Sequence, residues 1–295
     1  MTILRRRVLA GVGGAVFLAG AAAAAGIEEG ALPGRSILYQ SLGLDGEAGV
    51  IPTVATGAFV QGSFVSSARQ GRTVGWAASY PPGYAPGESL PVVVALHGYG
   101  GDHSDAFGTR LGLDRFQARA VAQGQAPFVV AAIDGGNSYW HHRASGEDSA
   151  AMVTDEFLPL LKARGLDTSR LALAGWSMGA YGALLLASDL GQGRVAAASG
   201  LSVALWPTVS RAATGAFDGP ADFWEHDLYR RQAMLADIPL RIDCGTGDGF
   251  RENDRALVTS LSPHPAGGFE PGGHDMAFWR RLAPDHLTFL AAHLG

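Results

Sequence analysis

The chain has 295 residues, 47% of them hydrophobic and 17% charged, which is the profile of a folded globular protein and excludes a disordered one. A formal net charge of −5 argues against a general nucleic-acid binder. A single cysteine, Cys244, excludes an internal disulfide framework and any multi-cysteine metal centre.

Residues 1–25 read as an export signal. A basic start, Arg5-Arg6-Arg7, precedes a run without charge from Val8 to Ala25 that ends in small residues. Two arginines followed one place on by Val8 and Leu9 fit a twin-arginine pattern. Eighteen uncharged residues also approach a membrane span, so an uncleaved anchor is the alternative. Removing the segment takes the net charge from −5 to −8 and predicts an acidic exported protein with no stable membrane span.

Residues 26–56 are Gly-rich and weakly patterned, and read as a lead-in; residues 57–295 read as one catalytic domain. Phe59–Ser66 and Thr73–Ser79 flank a turn at Arg69-Gln70-Gly71, which predicts a hairpin. Pro91–Leu96 is a short continuous apolar run, as in a strand covered on both faces. From there the pattern alternates. Strands are expected at 126–133, 170–174, 195–201 and 238–244, with helices at 149–163, 178–188, 253–260 and 276–294. Alternation of this kind predicts an α/β protein with a mostly parallel, doubly wound sheet. Residues 205–237 interrupt it with Trp206, Phe217, Phe223, Trp224 and Tyr229, and predict a small helical cap.

Gly175-Trp176-Ser177-Met178-Gly179 matches G-x-S-x-G between a strand and a small-residue helix, the setting that presents a nucleophilic serine on a sharp turn. A serine hydroxyl needs a base. His274 follows Gly272-Gly273 in a loop before the last helix and is preferred over His226, His264, His286 and His293. For the acid, Asp248 in Gly245-Thr246-Gly247-Asp248-Gly249 follows a strand end, where catalytic groups gather in such sheets. Asp243 lies inside that strand, and Asp275 adjoins His274 too closely to orient its ring. His97-Gly98-Tyr99-Gly100-Gly101 follows the strand ending at Leu96, so the backbone N–H groups of Tyr99 and Met178 are the expected oxyanion donors. The loop Tyr139-Trp140-His141-His142-Arg143 follows another strand. Trp140, His141 and Arg143 are therefore candidate substrate contacts, with a packed surface loop as the alternative. A metal at His97 and His103 with Asp102 beside them has no further ligand group placed to complete it, and adjacent His141 and His142 diverge, so no metal is expected.

Taken together, Ser63–Arg69, Tyr80–Tyr84, Leu96–Gly101, Gly175–Leu184 and Gly273–Trp279 resemble the esterase D group of α/β-hydrolases, a broad group of esterases. It also includes S-formylglutathione hydrolases, feruloyl esterases and secreted mycolyltransferases. The resemblance covers about residues 57–294 and implies an α/β-hydrolase fold with an N-terminal antiparallel hairpin. It implies the same five site residues, Ser177, Asp248, His274, Tyr99 and Met178, and no cofactor. The expected activity is a serine esterase acting on a small-molecule, lipid or glycan ester. An acyltransferase passing the acyl group to a sugar or lipid hydroxyl is the alternative, and a non-catalytic binding protein on the same scaffold is a third reading.

Overall fold

The computed structural model describes residues 35–294, and the signal read at 1–25 lies outside them. Eight strands form one sheet: β1 (Phe59–Ser66), β2 (Arg72–Ser79), β3 (Pro91–Leu96), β4 (Val129–Ile133), β5 (Asp167–Trp176), β6 (Val195–Leu201), β7 (Leu240–Gly245) and β8 (Ala266–Glu270). Their spatial order is β1-β2-β4-β3-β5-β6-β7-β8. β2 pairs antiparallel with β1 and β4, and every later pairing is parallel. This is the hairpin-led, mostly parallel sheet expected from the sequence.

Side chains alternate across the sheet, as a pleated strand requires. Val92, Val94 and Leu96 of β3 join one core, and Val93 and Ala95 join the other. The first core is covered by α3 (Ser149–Ala151), a π-turn at Met152–Phe157, α4 (Leu158–Ala163) and α5 (Met178–Leu190). The second is covered by α2 (Leu113–Ala122) and α9 (Met276–Leu294). The cap contributes only short pieces, α6 (Pro220–Glu225), α7 (Gln232–Leu235) and two 3-10 turns, before α8 (Arg251–Ser260). Among the described residues, no helix is long and apolar enough to cross a membrane.

Residues 35–56 are more than a lead-in. Arg35–Ser41 forms α1, and Ser36 Oγ donates to the Gly247 carbonyl at 2.8 Å. The Gly49 N–H donates to Ala277 of α9 at 2.8 Å. This segment lies on the catalytic body.

Strand ends are in register. Leu96 pairs with Ile133 and Gly175, Trp176 with Leu201, Leu201 with Asp243, and Gly245 with Glu270. The loops that leave these ends therefore emerge side by side along one edge, where parallel sheets gather their functional groups.

Candidate active site

Ser177 sits between β5 and α5 with φ 56° and ψ −122°, a conformation that a non-glycine residue adopts only when its surroundings impose it. The two motif glycines make the turn possible by close passage. A Cβ on Gly175 would stand 2.1 Å from the Gly179 carbonyl oxygen, and one on Gly179 would stand 1.9 Å from that of Leu96. The Ser177 N–H donates to Leu201 at 2.9 Å, and its carbonyl accepts from Ala180 and Tyr181, which locks the turn onto the helix start.

From Ser177 a hydrogen-bonded line runs to two further loops. His274 Nε2 is 2.8 Å from Ser177 Oγ, and His274 Nδ1 is 2.8 Å from Asp248 Oδ2. Asp248 is 1% exposed in the loop after β7, and its Oδ1 accepts from the Phe250 N–H at 2.8 Å. Burial alone would raise its pKa. Hydrogen bonds from His274, the Phe250 N–H and Ser202 outweigh that and hold the carboxyl below its ordinary value. Ser202 is itself fixed by the indole N–H of Trp279 at 3.0 Å. With Asp248 ionised, the imidazole proton lies on Nδ1, and Nε2 presents its lone pair to the serine hydroxyl. Such a line can draw the serine proton onto the ring and stabilise the imidazolium that results.

The competing acids are engaged elsewhere. Asp243 is buried in β7 and contacts Arg241 at 2.7 Å and His286 at 2.9 Å. Asp275 accepts from the N–H groups of Ala277 and Phe278 and so caps α9.

The loop after β3 passes directly over Ser177: a Cβ on Gly98 would lie 3.4 Å from that of Ser177. His97 is 1% exposed and shapes this loop. Its Nε2 accepts from the Gly135 N–H at 2.9 Å, so Nδ1 carries the proton and donates to the Gly98 carbonyl at 2.7 Å. A trans peptide directs its N–H opposite to its C=O. Holding the Gly98 carbonyl on the His97 side thus turns the Tyr99 N–H the other way. Asn137 Oδ1 accepts from the Gly100 N–H at 2.7 Å and ties the loop a second time. Sequence reasoning did not find His97 or Asn137 as loop supports, because Gly135, which sets the His97 tautomer, is 38 residues from it, and Gly100 is 37 residues from Asn137. Met178 opens α5, where helix N–H groups lack intrahelical acceptors.

A cleft of about 460 Å³ opens beside Ser177, within the size range of small-molecule sites. Its walls include Tyr99, Trp176, His274, Met276 and Trp279. The three candidate contacts from the loop after β4 are not among them, which corrects that expectation. Trp140 is fully buried, in the space left by Gly135 and Gly182, whose Cβ atoms would meet its ring at 2.3 and 2.4 Å. His141 is 1% exposed and stacks on His226 of the cap. Arg143 grips Asp218 through two nitrogens, at 3.0 and 2.8 Å, and donates to the Gly215 carbonyl. These residues fasten the cap to the body. Nor does His97 group with Asp102 and His103; Asp134 does, with its Oδ1 2.6 Å from His103 Nδ1.

A family model described as "putative esterase" matches residues 67–289. No curated protein sequence matches the chain. Similar solved structures include a ferulic acid esterase, 18% identical with a TM-score of 0.70, the alignment covering 81% of this chain and 99% of that one. An S-formylglutathione hydrolase from Agrobacterium tumefaciens is 20% identical with a TM-score of 0.68, over 83% and 98% of the two chains. FphF of Staphylococcus aureus, a fluorophosphonate-binding serine hydrolase, is 20% identical with a TM-score of 0.62, over 80% and 99%. The family match spans most of the chain and the fold agrees with it, so this protein belongs to the esterase family of α/β-hydrolases, the carboxylic ester hydrolases.

Proposed function

We propose that the protein is an exported serine esterase that cleaves small-molecule carboxylic esters through an acyl-enzyme on Ser177. The observation that carries this reading is the line Ser177–His274–Asp248, with both contacts at 2.8 Å. Ser177 Oγ attacks the ester carbonyl while His274 Nε2 takes its proton. Asp248 holds the ring in the required tautomer and balances its charge. The backbone N–H groups of Tyr99 and Met178 receive the oxyanion, each contributing roughly 3–4 kcal/mol to the transition state. The imidazolium then protonates the leaving alcohol, and a water activated by the same ring releases the acid. Export rests on the basic and apolar pattern of residues 1–25.

The test is hydrolysis of p-nitrophenyl esters from acetate to palmitate, with methyl ferulate added because a similar fold is that of a ferulic acid esterase. Wild-type protein turns over part of the series. Ser177→Ala lowers kcat by about 10⁴-fold or more and leaves the melting temperature near that of the wild type. Hydrolysis retained in the variant overturns the proposal. Adding trehalose or another polyol to the same assay reads out transfer of the acyl group to an acceptor hydroxyl, the other fate open to an acyl-enzyme.

A further inference from the structure

Among the described residues, five that are not glycine have positive φ, and Ser177 is one of them. Ser202 is another, at φ 55°, directly after β6. Glycine takes such a backbone freely, whereas other residues take it at a cost. The chain has 42 glycines and places many of them at positive φ, so a serine at this turn points to work for its side chain.

The turn that contains Ser202 grips the nucleophile from both sides. The Leu201 carbonyl accepts from the Ser177 N–H at 2.9 Å, and the Ala204 N–H donates to the Ser177 carbonyl at 3.2 Å. Between those two contacts the chain bends at Ser202, whose own N–H donates to the Asp243 carbonyl of β7 at 2.8 Å.

The hydroxyl faces the acid. Ser202 is fully buried. An indole N–H can only donate, so Ser202 Oγ accepts from Trp279 at 3.0 Å and keeps its own proton for another partner. The Asp248 carboxylate is the acceptor beside it. Asp248 thereby has a third donor, after the Phe250 N–H and His274 Nδ1. Trp279 in turn meets the His274 ring edge to face, with centroids 5.1 Å apart. Contacts of this one turn thus lead to all three residues of the line: through the backbone to Ser177, through the hydroxyl to Asp248, and through Trp279 to His274.

A carboxyl that the reaction does not use holds the turn from behind. Asp254 of α8 is fully buried, and its Oδ2 accepts from the Val203 N–H at 3.0 Å. The Asp254 N–H donates to the Phe250 carbonyl at 2.9 Å. The start of α8 therefore presents the Phe250 N–H to Asp248 and the Asp254 carboxyl to the Ser202 turn.

We infer that Ser202 is a positioning residue for the line Ser177–His274–Asp248: its strained turn sets the Ser177 backbone, its hydroxyl orients the Asp248 carboxylate, and Asp254 holds the turn in place. This rests on the esterase reading of that line. Ser202 acts through Ser177 and Asp248 and needs no contact with substrate.

The test is steady-state hydrolysis of the p-nitrophenyl ester that the wild type cleaves best, beside thermal melting. Ser202→Ala and Ser202→Gly each lower kcat at least tenfold and leave KM within about threefold, the pattern of a lost transition-state contribution. Both lack the hydroxyl, but glycine relieves the positive φ, so Ser202→Gly melts above Ser202→Ala. A kcat within twofold of the wild type in either variant overturns the inference. So does a glycine variant that regains kcat as it regains stability, because Ser202 then only supports the fold. Should the Ser202 variants fail to fold, Asp254 decides. Asp254→Ala loses kcat at least tenfold, and Asp254→Asn, which keeps an oxygen for the Val203 N–H, retains most of it. Full kcat in Asp254→Ala overturns the inference. Absence of turnover by the wild type on every ester refutes the esterase reading instead, a result that none of the variants can mimic.

Discussion

His97 has two neighbours and one proton, and the two contacts can be separated by substitution. The amide of Asn reaches about as far as Nδ1 of histidine, and that of Gln about as far as Nε2. His97→Asn therefore keeps a donor for the Gly98 carbonyl and loses the acceptor for Gly135, whereas His97→Gln does the reverse. If the loop orients an oxyanion donor, the Gln variant loses roughly 10²-fold in kcat, the value of one such donor, and the Asn variant loses less. Equal kcat in the two variants, measured on one p-nitrophenyl ester, contradicts this account. At this scale the sequence was uneven. Ser177 and His274 were legible because the turn and the glycines that present them are their immediate neighbours. Trp140, His141 and Arg143 were misassigned because a strand end places a loop near the cleft without saying which way its side chains turn. That direction depends on Gly182 and the cap, both remote in sequence from the loop.

Among elements, α5 and β3 are held at a distance that only glycine permits. Gly179→Ala places a methyl group 1.9 Å from the Leu96 carbonyl oxygen, so the helix must withdraw and carry Ser177 and Met178 with it. Overpacking of this kind costs about 1–3 kcal/mol or more. The variant should melt lower and hydrolyse esters poorly, while Gly193→Ala, which meets nothing within 4 Å, should melt with the wild type. A Gly179→Ala protein with full activity would remove the steric reading of the motif. Several elements were legible to the residue: β1, β3, β6 and α9 coincide with their expected bounds. Others were not. β8 reads Ala266-Gly267-Gly268-Phe269-Glu270, a composition that suggests a turn, and it becomes a strand only by pairing with β7. Gly267 is needed there because a Cβ would meet the Ile242 carbonyl oxygen at 2.3 Å. α2 begins after Gly112 in a left-handed conformation with no side-chain cap, so the ordinary start signal is missing.

Across the whole molecule, two buried carboxylates join the strands and helices of the C-terminal half. Asp248 links the β7 loop to His274, and Asp243, paired with Arg241 of the same strand, links β7 to the Gly268 N–H of β8 and to His286 of α9. Burial would raise the Asp243 pKa, but its contacts with His286 and Arg241 hold it below the ordinary 3.8. A carboxyl depressed on folding contributes stability that is present above its unfolded pKa and is lost as pH falls through the folded one. The loss therefore begins near pH 4 and continues below it. Asp243→Asn should lower stability at neutral pH by about 3 kcal/mol, as breaking a buried pair does, and flatten the decline in melting temperature on acidification. An unchanged acid slope would place the acid sensitivity elsewhere. The layout of the sheet was readable because its strands announce themselves as apolar runs, but the docking of residues 35–52 was not, since no periodicity marks it. That docking bears on the order in which the chain matures. The earliest described residues rest on some of the last: Ser36 on the Gly247 loop, and Glu47 and Gly49 on Arg281 and Ala277, more than 200 residues later. A segment of such high contact order has no surface to settle on until the C-terminal helix has been synthesised. During translation it has to wait, and it can close over the body only once the chain through Arg281 has emerged and folded.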